Sequence, residues 1–274
     1  MKFAFSTLGC PTWAWGDILA VAKDLGYDGI EVRGVGKELY APQIKQFLPE
    51  NIANTKDKLQ QLGLEISCLT SSALLFKQEN NEREVQVGRE YIDLAAQLGC
   101  AYVRVMGDEG PEPKDEIDIG LVASNLDLLA DYAADKNVTV LLETNGVFAD
   151  SSLAAEVLTF INKPAAGILW DVHHPYRYCL EDPETTYHNI KDFLCYLHMK
   201  DSVMENGQTV YKMMGRGDVP NKRVVSLLEQ NGFTGYVSLE WVKRWNQSLR
   251  EPGIVFPQFI NYLKFDRIRG NDND

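Results

Sequence analysis

The chain is 274 residues long, 45% hydrophobic and 24% charged, with a formal net charge of −12. This size and balance fit one domain over residues 1–274, since a (β/α)8 barrel typically takes about 250 residues. The acidic excess argues against nucleic acid as a partner, which needs clustered Lys and Arg, and no apolar run approaches the ~20 residues that span a membrane.

In chain order, short apolar segments alternate with longer amphipathic ones. MKFAFSTLGC reads as a first strand rather than a secretion leader, so the expected location is cytoplasmic. The strand-like runs are KFAFST, GIEVR, LEISCL, AYVRVM, VTVLLE, GILWD, CYLHM and YVSLE, eight in all. Between them DILAVAKDLG, NIANTKDKLQQLG, EVQVGREYIDLAAQLG and LVASNLDLLADYAADKN carry apolar residues at helical spacing. The endings Leu25-Gly26, Leu62-Gly63 and Leu98-Gly99 predict one short helix-to-strand turn used three times. Eight such units predict a parallel sheet closed as a single-domain (β/α)8 TIM barrel. An open doubly wound sheet is the alternative, but no GxGxxG follows the first strand. Gly107 to Pro113 and Glu205 to Asp218 read as loops after the fourth and seventh strands, and the polar tail 267–274 reads as flexible. The five cysteines (Cys10, Cys68, Cys100, Cys179, Cys195) contain no CxxC pair and read as buried free thiols.

Glu143, Asp171, His198 and Glu240 each end a strand-like run or stand just past it. Their separations are 28 residues (143 to 171), 27 (171 to 198) and 42 (198 to 240), near the length of one strand-helix unit or somewhat more. Strand ends of a barrel converge on one mouth, and three carboxylates meeting an imidazole there repel unless a cation neutralises them. Such an O3N set suits Mn2+, Co2+, Zn2+ or Mg2+. A helix N-cap or a loop ion pair would explain any one of the four taken alone.

The segments LLETNG, WDVHHP, LHMKD, GRGDV and SLEW make the chain resemble the xylose isomerase-like sugar phosphate isomerase/epimerase family of TIM barrels. The resemblance runs from the first strand past Trp245. It implies a divalent-metal isomerase or epimerase of a sugar, sugar phosphate or polyol, working through an enediolate. Glu143, Asp171, His198 and Glu240 would then be the metal ligands, with Glu143 and Glu240 moving protons. As the alternative it admits a dehydratase of the inosose or dehydroshikimate type, and more remotely an abasic-site endonuclease or a non-catalytic sugar-binding barrel. Relatives commonly form oligomers, so a homo-oligomer is a further expectation.

Around these four, His174 matches a substrate-binding histidine of the family, whereas His173 reads as structural. Glu31 and Arg33 alternate on one strand, so both can point into the mouth or pair with each other. Arg104 is a similar case. Arg216 and Lys200 are the candidates for an anionic group or sugar hydroxyls, with a Lys200–Asp201 pair as the plain alternative. Arg244 either closes the mouth or faces solvent. Trp13, with Trp15, Trp241 and Trp245, offers an aromatic wall for a sugar ring or ordinary packing. Asn145 and Ala149 stand where relatives carry a histidine and a carboxylate, so the substrate-reading shell is expected to differ.

Overall fold

A computed structural model describes residues 1–113 and 116–266; the polar tail expected to be flexible lies outside them. Strand β1 (Lys2–Ser6) leads through helix α1 (Trp15–Leu25) to β2 (Gly29–Val32). Helix α2 (Ile52–Leu62), strand β3 (Glu65–Leu74), helix α3 (Asn81–Leu98) and strand β4 (Tyr102–Met106) continue the alternation. Then come α4 (Ile119–Ala133), β5 (Thr139–Glu143), α5 (Ser151–Ile161) and β6 (Ala166–Asp171). Two short helices, α6 (His173–Tyr178) and α7 (Pro183–Ile190), precede β7 (Leu194–Met199). After an antiparallel hairpin of β8 (Asp201–Glu205) and β9 (Gln208–Lys212), the chain closes with α8 (Asn221–Gln230), β10 (Tyr236–Leu239) and α9 (Pro252–Asn261).

All eight expected strands form one closed parallel barrel in the order β1-β10-β7-β6-β5-β4-β3-β2. The three Leu-Gly endings behave as predicted. Gly26, Gly63 and Gly99 hold φ of 71°, 65° and 75°, and each returns its N–H to the last turn of its helix. A side chain is rarely tolerated in that left-handed region, so glycine ends the helix and turns the chain into the next strand.

Strand alternation sorts residues between two environments. Leu142, Ile168, Trp170, Leu197 and Met199 face the helices and join the main apolar core. Ala4, Cys68, Leu141, Leu169, Tyr196 and Tyr236 fill the barrel's interior as a second, smaller core. Two residues further along the same strands stand Glu143, Asp171 and His198. The period of two that seats an apolar plug at one level therefore seats polar groups at the next level up. Register brings Asp171 directly opposite His198.

One expectation needs correction. Glu205 to Asp218 is not all loop, because the β8–β9 hairpin occupies much of it. Its turn, Asn206-Gly207, holds φ of 51° and 76°. Asn-Gly is the dipeptide that tight hairpin turns favour, since both central residues need positive φ. The signal was local and readable.

Candidate functional site

Glu143 ends β5, Asp171 ends β6, His198 lies one residue before the end of β7, and Glu240 follows β10 directly. One ligand atom from each lies within 4.8 Å of the others, and all four side chains are buried. His198 Nδ1 stands 3.4 Å from Glu143 Oε1, 3.5 Å from Glu240 Oε1 and 3.8 Å from Asp171 Oδ2, with no hydrogen-bond partner. Its other nitrogen, Nε2, is 2.8 Å from Glu31 Oε2, which also accepts from Tyr196 Oη at 3.1 Å. Glu31 holds Nε2, so Nδ1 points at three carboxylates, and its lone pair becomes a ligand once a cation displaces the proton there. Four acceptors then meet with no donor among them, a geometry that suits a cation.

Charge counting agrees. Glu31, Glu143, Asp171 and Glu240 supply four negative charges. Arg104 Nε pairs with Glu143 Oε2 at 3.0 Å, and the Lys200 ammonium donates to Asp171 Oδ2 at 2.5 Å and to Glu240 Oε2. Four minus two leaves a deficit that one divalent ion cancels. The four residues thus fit a divalent ion by both donor type and charge.

Burial alone would raise the Glu240 pKa, but Lys200 and His198 outweigh it and hold it at about 2. Burial opposes ionisation of Glu143 too, and Arg104 and His198 pull its pKa far below the carboxylate range. Both glutamates are therefore anionic at neutral pH and able to accept a proton. Burial lowers the His174 pKa, only partly offset by Asp171, so this ring is neutral. His174 Nδ1 faces the Thr144 carbonyl oxygen at 3.0 Å and must carry the proton there, leaving Nε2 as an acceptor.

These groups floor a cavity of about 490 Å3, large enough for a small ligand. Its lining includes Arg33, Arg104, Glu143, Asn145, His174, Lys200, Glu240 and Trp245. Asn145 Nδ2 donates to the Gly110 carbonyl oxygen at 2.7 Å, tying the loop after β4 to the end of β5.

Several expected residues sit elsewhere. Glu31 does not line the cavity; it lies fully buried behind His198 and pairs with that ring rather than with Arg33. Lys200 turns inward and does not pair with Asp201, whose carboxylate accepts the backbone N–H groups of Ser202, Gly217 and Val219. Arg216, in the turn that Asp201 holds, is exposed and outside the cavity. Trp13 packs edge-on against Phe256 at 5.6 Å, Trp15 against Phe47, and Trp241 donates to the Arg250 carbonyl. Of the four tryptophans considered, Trp245 alone lines the cavity. Arg244 donates to the Gly36 carbonyl, and His173 faces Ser202 Oγ at 2.8 Å, consistent with its structural reading. Sequence reading passed over Tyr211 and Ser71. The first rides on the unrecognised hairpin, and the second on a β3 that runs well past LEISCL.

A closed eight-stranded barrel of this order has known counterparts. Residues 19–255 match the family model described as xylose isomerase-like TIM barrel, and the chain belongs to that family. Among its relatives is a fructoselysine 3-epimerase of Shigella flexneri, 24% identical over 257 residues, 89% of this chain and 90% of that one. Similar solved structures include the probable 3-DHS dehydratase AsbF of Bacillus anthracis, with TM-score 0.79, 17% identity and coverage of 96% and 98%. Another is D-allulose 3-epimerase from Methylomonas sp. in complex with D-allulose, with TM-score 0.72, 20% identity and coverage of 98% and 96%.

Proposed function

We propose that the chain is a divalent-metal-dependent epimerase or isomerase acting on a ketose or a related polyol derivative. The observation that carries this reading is the pair of buried, anionic glutamates, Glu143 and Glu240, flanking Nδ1 of His198. Their strands, β5 and β10, are separated round the barrel by β6 and β7, so the two carboxylates approach a bound ligand from different sides. Inversion at a carbon needs a base on one face and an acid on the other; two such glutamates supply both. Glu143, Asp171, His198 and Glu240 would hold the ion, which when bound polarises a carbonyl and stabilises charge on neighbouring oxygens. His174, neutral with Nε2 as acceptor, orients a substrate hydroxyl, and Lys200 donates beside Glu240. The sugar epimerases among the relatives support the same class.

Incubating ketoses in D2O with Mn2+, Co2+, Zn2+ or Mg2+ tests the reading. Metal-dependent deuterium incorporation at the carbon next to the carbonyl is the expected result. No incorporation with any ion and any ketose would sink it, and loss of water instead would reassign the site to a dehydratase.

Metal occupancy should also depend on pH. Burial depresses the His198 pKa, but Glu31 and Glu240 outweigh it and hold it well above the ordinary 6.5 in the ion-free fold. The stabilisation from that proton is complete below about 6.5, the unfolded value, and is lost as pH rises through the folded one. An ion at Nδ1 must displace the proton, so affinity rises with pH. The gap between Tm with Mn2+ and Tm in EDTA should widen from pH 6 to pH 9. A gap of constant size would show that no proton is exchanged.

A further inference from the structure

We propose that the substrate of this cavity carries an oxyanion, a carboxylate or a phosphate monoester, and that Arg33 is the residue that binds it. The inference rests on the reading above that this cavity is the active site.

Arg33 follows β2 directly, and its backbone N–H is pinned to Thr7 Oγ1 at 2.9 Å. In the closed order β2 lies diametrically opposite β6, so Arg33 lines the wall facing the Asp171 and His174 side. Three cations line the cavity, and two of them are already neutralised, Arg104 by Glu143 and Lys200 by Asp171 and Glu240. Arg33 is the exception. Its guanidinium makes no hydrogen bond or ion pair with any described residue, and its Nη1 is shut off from solvent without a partner. Glu109, on the loop after β4, lines the cavity but has a partner of its own.

Arg33 is only part-buried, but leaving its solvent-excluded Nη1 unsatisfied is costly, since buried polar groups are almost always paired. Here the surroundings worsen the cost. Burial first, then repulsion from Arg104 and Arg244, outweigh attraction to Tyr91 and Glu240 and lower the Arg33 pKa to about 10, so the group stays charged. The exposed ring of Trp245 lies 5.8 Å from the guanidinium carbon, a cation–π contact that leaves the hydrogen-bond donors unmet. A sugar hydroxyl would satisfy a donor but leave the charge. A carboxylate or phosphate does both, because the planar fork matches two oxygens at once. The expected anion subsite therefore moves from Arg216, which is exposed and outside the cavity lining, to Arg33.

Isothermal titration with three unreactive probes separates this inference from turnover: glucitol, glucitol 6-phosphate and gluconate, against the purified full chain. Wild type should bind at least one anion about tenfold or more tighter than glucitol, the scale of one charged hydrogen-bonded pair. Arg33→Gln should erase that preference, weakening the anions about tenfold or more relative to glucitol, while Arg33→Lys keeps part of it. Whichever of gluconate and the phosphate ester is preferred identifies the oxyanion. Equal binding of all three probes, no detectable binding of either anion, or a preference that survives in Arg33→Gln would overturn the proposal. Because the probes do not react, absence of deuterium exchange with ketoses would count against the epimerase reading alone.

Discussion

Glu240→Gln and Glu143→Gln should each lower epimerisation by about 10²–10⁴-fold, the usual contribution of a positioned acid or base. Glutamine keeps the shape and one oxygen of each side chain but cannot take up a proton. The two variants should differ in detail. Glu143 leans on Arg104, and Glu240 on Lys200, so each substitution frees a different cation. With a base left on only one face, a variant can still exchange a proton with solvent there while losing inversion. Deuterium incorporation and stereochemical product should therefore be scored separately, alongside bound metal per chain. A variant that keeps its metal and inverts within about tenfold of wild type would remove that glutamate from the proton path.

Lys200→Met should destabilise the ion-free protein by ~3–5 kcal/mol, the cost of removing one partner from a buried ion pair. Lys200 is buried, and its ammonium donates to both Asp171 and Glu240. Burial alone would depress its pKa, yet Asp171 and Glu240 hold it well above the ordinary lysine value, so the ammonium does not discharge to escape the barrel. Without it, Asp171 and Glu240 lose the ammonium that both accept from, and only His198 remains between them. For a chain of this length the loss corresponds to a Tm lower by about 10 °C. A divalent ion replaces the missing charge, so added Mn2+ should recover most of the drop in Lys200→Met and raise wild type less. An unchanged Tm in EDTA, or no larger response to Mn2+ than wild type shows, would mean the bridge carries no such load.

Much of the architecture was legible before folding. The Leu-Gly endings, the eight apolar runs and the missing glycine fingerprint predict a barrel from local chemistry, because backbone preference at Gly26, Gly63 and Gly99 needs no distant partner. Glu143, Asp171, His198 and Glu240 were also legible, since a barrel collects its strand ends at one mouth whatever the connecting helices do. The Asn206-Gly207 hairpin was equally local and was simply passed over, which hid Tyr211 with it.

What the chain order could not convey is which charges meet. Glu31 reaches His198 across 167 residues of sequence, and Lys200 chooses Asp171 and Glu240 over the adjacent Asp201. Arg216 and Arg33 both follow strands, yet one is in solvent and the other lines the cavity with its Nη1 lacking a hydrogen-bond partner. The sequence by itself determined the fold and the four converging residues, because strand period and turn chemistry are local properties. Only the closed barrel decided how the other charges pair, because that depends on register between strands and on which side chains the interior leaves room to turn.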